Sequence, residues 1–242
     1  MKLAIDIGNT SVACGLFKKN TIIKKFNIKS ISDLNNKISD QSFLNIKKII
    51  ISSVVPSLTS EYLTYFKNKH NYKVELIDYK SSQLSLKVTA PDTVGNDRIC
   101  NIFSTIKLYS TPAIIVDFGT ATTYDVINAN NEFIGGAIGA GIETSADYLI
   151  NNAALLSKAD LIFPDKVIGI DTKENIQSGI MFGAIDQVEG MIKRIIKEQN
   201  DNYTIILTGG FSKLLSPYLS IKHILDMDLT LKGIYYIDDA NS

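Results

Sequence analysis

A chain of 242 residues, 45% hydrophobic and 21% charged, can bury a sizeable core, either as one large domain or as two lobes of ordinary size. Lysine plus arginine balances aspartate plus glutamate at 25 each, and the lysines look scattered, so no field recruits nucleic acid or an anionic membrane. No stretch approaches the roughly 18 apolar residues of a membrane span, and MKLAIDIGNT carries Asp6 where a signal peptide would be apolar. A protein of the reducing cytoplasm is expected, with neither nucleic acid nor membrane as partner.

The first predicted elements run from Leu3 to Phe17, LAIDIGNTSVACGLF, as strand, turn and strand with Asp6 and Gly8 in the turn. Another strand begins at Asn20 (NTIIKKF). Around Ile50, KIIISSVVPSL reads as a buried β-branched run, a small-residue turn and a helical start. Gly95-Asn96-Asp97-Arg98 then precedes an apolar run, Ile99, Cys100, Ile102 and Phe103, that predicts a helix beginning there.

From Ile114 the pattern starts again as IIVDFGTATTYDVIN, placing Asp117 and Gly119 at 111 residues from Asp6 and Gly8. Asn131 (NEFIGGA) follows Asn20 at the same offset, and TIILTGGFSKL around Ile206 follows the Ile50 segment at 156. The second copy therefore holds about 45 extra residues, within 142–200, where Ile176, Ile180, Val188 and Ile192 recur near helical spacing. The expected fold is α/β with two lobes from an internal duplication, 1–110 and 111–242, each a mixed sheet flanked by helices, with a nucleotide cleft between them.

Two Asp-x-Gly turns followed by small hydroxyl residues suit a polyphosphate: backbone N–H groups cradle phosphate oxygens while the carboxylate holds a hydrated cation. Asp97 has two readings. It caps the coming helix, as Asn96 could equally do, or it accepts the proton of an alcohol under phosphoryl attack. Arg98, one of only two arginines (the other is Arg194), stands beside it and offers the planar fork that lysine lacks. The glycines of GGAIGAG, Gly135 to Gly141, lack dinucleotide-binding spacing and read as points of close chain approach. Thr208-Gly209-Gly210 reads as a turn abutting adenosine, or as an ordinary strand-to-helix turn. Cys14 and Cys100 stand in no metal spacing and read as small buried hydrophobes. His70 and His223 are isolated fillers, and Asp186 and Glu189 are solvated or interface charges.

DIGNT at the start, GNDR at 95–98 and DFGTATT at 117–123 together resemble type III pantothenate kinase, a family of the actin, hexokinase and heat-shock ATPase superfamily. The resemblance continues through GGAIGAGI, NIQSGIMFG, LTGG and DLTLKG to the C-terminal region. It implies two ribonuclease-H-like lobes and ATP-dependent phosphorylation of pantothenate to 4′-phosphopantothenate, the first step of coenzyme A synthesis. It also implies a phosphate loop of Asp6, Ile7, Gly8, Asn9, Thr10, Ser11, Val12 and Ala13, with Asp6 near the magnesium of Mg-ATP. Thr120 would touch the ATP phosphates, and Asp117 would hold a monovalent cation, potassium or ammonium. Gly95, Asn96, Asp97 and Arg98 would hold pantothenate, joined by Thr172, with Asp97 as general base. Val88 departs from the family, which often has Tyr at that position of the substrate pocket. The family pattern and the apolar excess of 142–200 imply a homodimer. Other functions compatible with the residues are a kinase of a sugar or hydroxy acid, and an actin-like nucleotide-switched protein, for which 242 residues leave little room.

Overall fold

The computed structural model describes residues 1–38, 43, 45–68, 72–152 and 161–242. His70 and part of the helical segment, 153–160, lie outside the described residues. The chain divides into two compact units, Met1–Tyr109 with Asp228–Ser242, and Ser110–Met227.

The first unit is built on β1 (Lys2–Ile7), β2 (Val12–Lys18), β3 (Thr21–Ile28), β4 (Lys48–Ser53) and β5 (Lys73–Leu76), in the order β3-β2-β1-β4-β5. β2 runs antiparallel to β1 and β3, whereas β4 and β5 run parallel to β1. β1 and β4 are near-continuous apolar runs because both faces of the sheet are covered. On one face Leu3, Ile5, Ile49 and Ile51 pack with Leu34 of α1 (Ile31–Ile38) and with Tyr62 and Phe66 of α2 (Pro56–Lys67). After β5, the one-turn helix α3 (Tyr79–Ser82) opens on a capping box made by Asp78 and Ser81. On the other face Ala4 and Ile50 pack with Ile99 and Cys100 of α4 (Asn96–Leu108).

The second unit repeats this plan. β6 (Ala113–Phe118), β7 (Ala121–Ile127), β8 (Phe133–Ala140), β9 (Thr204–Thr208) and β10 (Ile224–Leu225) form the order β10-β9-β6-β7-β8, the same topology with every direction preserved. α5 (Ile142–Asn152) and α6 (Thr172–Gln199) fall in the segment expected to be helical. Met181, Ile185, Val188 and Ile192 of α6 line a stripe against Val116, Phe118, Tyr124 and Leu207. α7 (Ser212–Leu215) follows β9 as α2 follows β4.

Strand registers refine the repeat. The 111-residue offset holds for β1 with β6 and for β3 with β8, but falls to 110 along β2 and β7. The second copy has one residue fewer in its first turn and one more in its second. The β-bulge between Leu16 and Phe17 recurs between Val126 and Ile127, at that same 110.

The last helix, α8 (Leu229–Ala240), grouped by the sequence with the second lobe, belongs instead to the first unit. Its Leu231, Ile234, Tyr235 and Ile237 pack with Ala4, Phe17, Ile50 and Cys100. The approach to α4 is so close that a Cβ on Gly233 would lie 2.0 Å from the Cys100 carbonyl oxygen. Asp238, with a fully buried side chain, is ion-paired to Lys2 at 2.7 Å and to Lys48. Lys48 also meets Glu75 at 2.8 Å, and Glu75 meets Lys73 at 2.7 Å, so α8 is tied to the start of three strands. Among the described residues no helix is long and apolar enough to cross a membrane.

Candidate active site

Within the first unit, β1 carries Asp6 to its C-terminal end, where it pairs with Ala13 of β2 and Ser52 of β4. The turn that follows is closed by a hydrogen bond from the Gly8 N–H to the Ser11 carbonyl at 3.0 Å. Asn9, Thr10 and Ser11 are exposed there, while Ile7 and Val12 anchor the turn in the core. The Val54 N–H donates to the Ile7 carbonyl at 3.1 Å, so the turn after β4 is fastened to the turn after β1.

The same end of the unit receives Gly95–Arg98. Gly95 is the N-cap of α4, so neither Asn96 nor Asp97 fills the capping position expected for one of them if they serve the helix alone. Asn96 reaches across to donate from Nδ2 to the Ser53 carbonyl at 3.1 Å. Asp97 accepts the Arg98 N–H on Oδ1 at 2.7 Å, while Oδ2 has no hydrogen-bond partner among the described residues. The buried thiol of Cys100 feels the charge of both carboxylates. Burial raises its pKa well above the ordinary value, and Asp6 and Asp97 push it in the same direction.

A cavity of about 380 Å³ opens beside Asn96, walled by Ser53, Val54, Pro56, Thr59 and Leu76. The sequence reading missed this wall. Its signal is the turn SSVVP, which stands at 156 residues from TGGFS just as Ile50 stands from Ile206. Thr59 donates to the Ser53 hydroxyl at 2.7 Å, which fixes the corner where β4 passes into α2. Val88 lies half-buried in the loop that leads to Gly95.

In the second unit Asp117 ends β6 next to Thr208 of β9, as Asp6 ends β1 next to Ser52, so each carboxylate neighbours a buried hydroxyl residue. The Gly119 N–H closes its turn on the Ala121 carbonyl at 3.1 Å, the counterpart of the Gly8 bond, and the shortened turn puts Thr120 in the place of Thr10. The Thr120 carbonyl accepts from the Gly141 N–H at 3.1 Å and from the Thr144 hydroxyl at 2.7 Å. A Cβ on Gly141 would stand 2.4 Å from the carbonyl oxygens of both Gly119 and Thr120, so this glycine serves close approach as expected. Thr172 is the exposed first residue of α6, behind an N-cap in which Asp171 accepts the Glu174 N–H at 2.8 Å. The structure thus gathers Asp6 to Ala13 and Gly95 to Arg98 in one unit, and Asp117, Thr120 and Thr172 in the other.

Cys14 and Cys100 are free and fully buried. His223 meets the Ser216 hydroxyl at 2.7 Å and the Ile221 carbonyl at 2.6 Å. Asp186 is exposed, but Glu189 is more than a solvated charge: it accepts the Ser220 N–H and hydroxyl at 2.7 and 2.6 Å, which together with Lys193 lower its pKa.

The family model for type III pantothenate kinase matches residues 2–194. A type III pantothenate kinase from Finegoldia magna is 38% identical over 99% of this chain and 97% of its own length. Among solved structures, a Baf family transcriptional activator assignment from Campylobacter jejuni superposes with TM-score 0.64 at 20% identity, covering 99% and 98% of the two chains. A protein from Sinorhizobium meliloti assigned as a 2-dehydro-3-deoxygalactonokinase gives 0.61 at 10%, covering 99% and 96%. At such identities these two establish the shared fold alone. The match of the family model over 2–194, and of a relative over nearly the whole of both chains, means that this chain belongs to the type III pantothenate kinase family.

Proposed function

We propose that the protein transfers the γ-phosphoryl group of ATP to the primary hydroxyl of pantothenate, giving 4′-phosphopantothenate and ADP. The observation that carries this is family membership over nearly the whole chain. Its chemical support is the placing of Asp6 and Asp97 at one end of a sheet, beside a cavity and an exposed small-residue turn.

The backbone N–H groups and hydroxyls of 8–11 and of Thr120 hold phosphate oxygens. Gly95 to Arg98 bind the acceptor with Thr172, and the Arg98 fork meets its carboxylate. The free Oδ2 of Asp97 takes the hydroxyl proton as the new O–P bond forms and the bond to ADP breaks. A kinase of this family uses ATP with a divalent metal. Among the described residues no three His, Cys, Asp or Glu side chains gather to hold a metal. That fits magnesium, which binds through one or two carboxylates and the substrate's phosphates rather than in a protein cage. Asp6 would supply that carboxylate, and the ion would neutralise phosphate charge. Asp117, on a turn rich in carbonyl and hydroxyl oxygens, would hold a monovalent cation.

A homodimer is part of the same reading. The second unit exposes Ile138, Tyr148, Leu149, Ile168 and Ile170, a collection of large apolar side chains that a partner copy would cover. The test is ADP release with Mg-ATP and either pantothenate or sugars, in potassium, ammonium or sodium buffers. Turnover confined to pantothenate, and dependent on potassium or ammonium, is expected. Turnover of a sugar in preference would replace the substrate, and equal rates in all three buffers would remove the cation.

A further inference from the structure

We propose that the first unit carries a second anion site, for small molecules bearing two or more phosphate groups, at the end of the sheet opposite the Asp6 turn.

Lys2, Lys48 and Lys73 are the first residues of β1, β4 and β5, and they stand side by side in register. Like charges in such positions repel, so the arrangement is destabilising unless something answers it. Three carboxylates answer in part. Asp238 takes Lys2 and Lys48 from below, Asp239 lies 3.4 Å from Lys2, and Glu75 bridges Lys48 and Lys73. Two further lysines complete a ring: Lys19 in the turn between β2 and β3, and Lys47 just ahead of β4. Neither has an acidic partner among the described residues. Five lysine ammonium groups therefore meet three carboxylates, and two lysine charges are left to face the space between them, beside the Met1 α-ammonium, which donates to the Asn45 carbonyl at 3.0 Å.

That space is a cavity of about 450 Å³, within the size range of small-molecule sites. Its apolar side is made by Phe17 and Tyr235, stacked with centroids 4.5 Å apart, and by lysine stems. Tyr235 is held by a hydrogen bond to Asn20 at 3.1 Å, and the Lys2 ammonium sits 5.0 Å from its ring centroid. The ammonium is a compact donor suited to phosphate oxygens as a point charge, whereas a planar carboxylate is better matched by arginine. Two unanswered charges call for a ligand with at least two negative groups. Strands of this length place the site roughly 20 Å from the Asp6 turn, at about 3.3 Å per residue.

The test uses the methyl resonances of the four methionines in the full chain. Met1 lines the cavity, while Met181, Met191 and Met227 belong to the second unit and serve as internal references. Inorganic diphosphate is the probe. A saturable shift of the Met1 methyl is expected, with Kd of about 1 mM or tighter. In the double variant K19Q/K47Q the affinity falls about tenfold or more, with kinase turnover unchanged. A Met1 signal that stays still at about 10 mM diphosphate overturns the site. So does an equal shift from sodium chloride at the same ionic strength, which would mark non-specific screening, or unchanged affinity in the double variant.

Discussion

Asp97 occupies the second position of α4, behind a glycine N-cap, with one carboxylate oxygen bonded and the other unpartnered among the described residues. Asp97→Asn keeps the Oδ1 acceptor for the Arg98 N–H, so the fold should stand. If Oδ2 is the base, turnover falls roughly 10²–10⁴-fold with the thermal midpoint unchanged; near-normal turnover would leave Asp97 a structural role. A second prediction concerns Glu75, which burial alone would raise but which Lys48 and Lys73 hold down at about 2. A depressed carboxylate stabilises the folded state above its unfolded pKa of 4.5, and that contribution is lost as pH falls from there through 2. Glu75→Gln should therefore lower Tm at pH 6 and lower it much less at pH 2, where about half of the Glu75 carboxylates are protonated in the folded state. Equal differences at both pH values would contradict the pairing. Residue types singled out Asp6, Asp97 and Asp117 in the sequence, and the structure sets Asp6 and Asp117 at matching strand ends. The sequence could not announce Glu75 or Asp238, because lysines spaced tens of residues apart look scattered until strand register sets them side by side.

At the scale of elements, the sharpest constraint is the crossing of α8 over α4 at Gly233. Adding a methyl there drives it into the Cys100 carbonyl, a backbone atom that no side-chain rotation can move aside. Gly233→Ala is expected to cost about 1–3 kcal/mol, read as a lower urea midpoint with unchanged m-value, despite alanine's better helix propensity. Greater stability would show that the helices separate freely. The duplication was legible because each copy spends β-branched runs on strands covered on both faces and ends the first on Asp-x-Gly. The one-residue shift along β2 and β7 was hidden. A deletion in one turn is undone by an insertion in the next, so flanking strands still match at 111. The cavity wall at Ser53 to Thr59 was hidden for another reason: hydroxyl residues after a buried strand usually just turn the chain.

For the whole molecule, the expected assembly is two copies, and light scattering at micromolar concentration should give twice the 26.7 kDa chain mass. A strictly monomeric mass would leave the exposed apolar side chains of the second unit without a partner copy. The sequence divided the chain into halves near residue 110 and could not see that α8 returns. Its apolar stripe states that one face must be buried, but helical periodicity carries no address for the surface that buries it.

That return has a consequence for how the protein is made. Ribosomes deliver residues in order, at about 5–20 per second, so residues 1–109 emerge long before 229–240. Until α8 arrives, Ala4, Phe17, Ile50 and Cys100 lack the helix that covers them, and Lys2 and Lys48 repel each other without Asp238 between them. The second unit is continuous in the chain and contains all of its own strands, so it can close first although it is translated second. A premature stop near residue 228 would then injure the unit that was synthesised first, leaving its early strands on a nascent chain that has nothing to complete them.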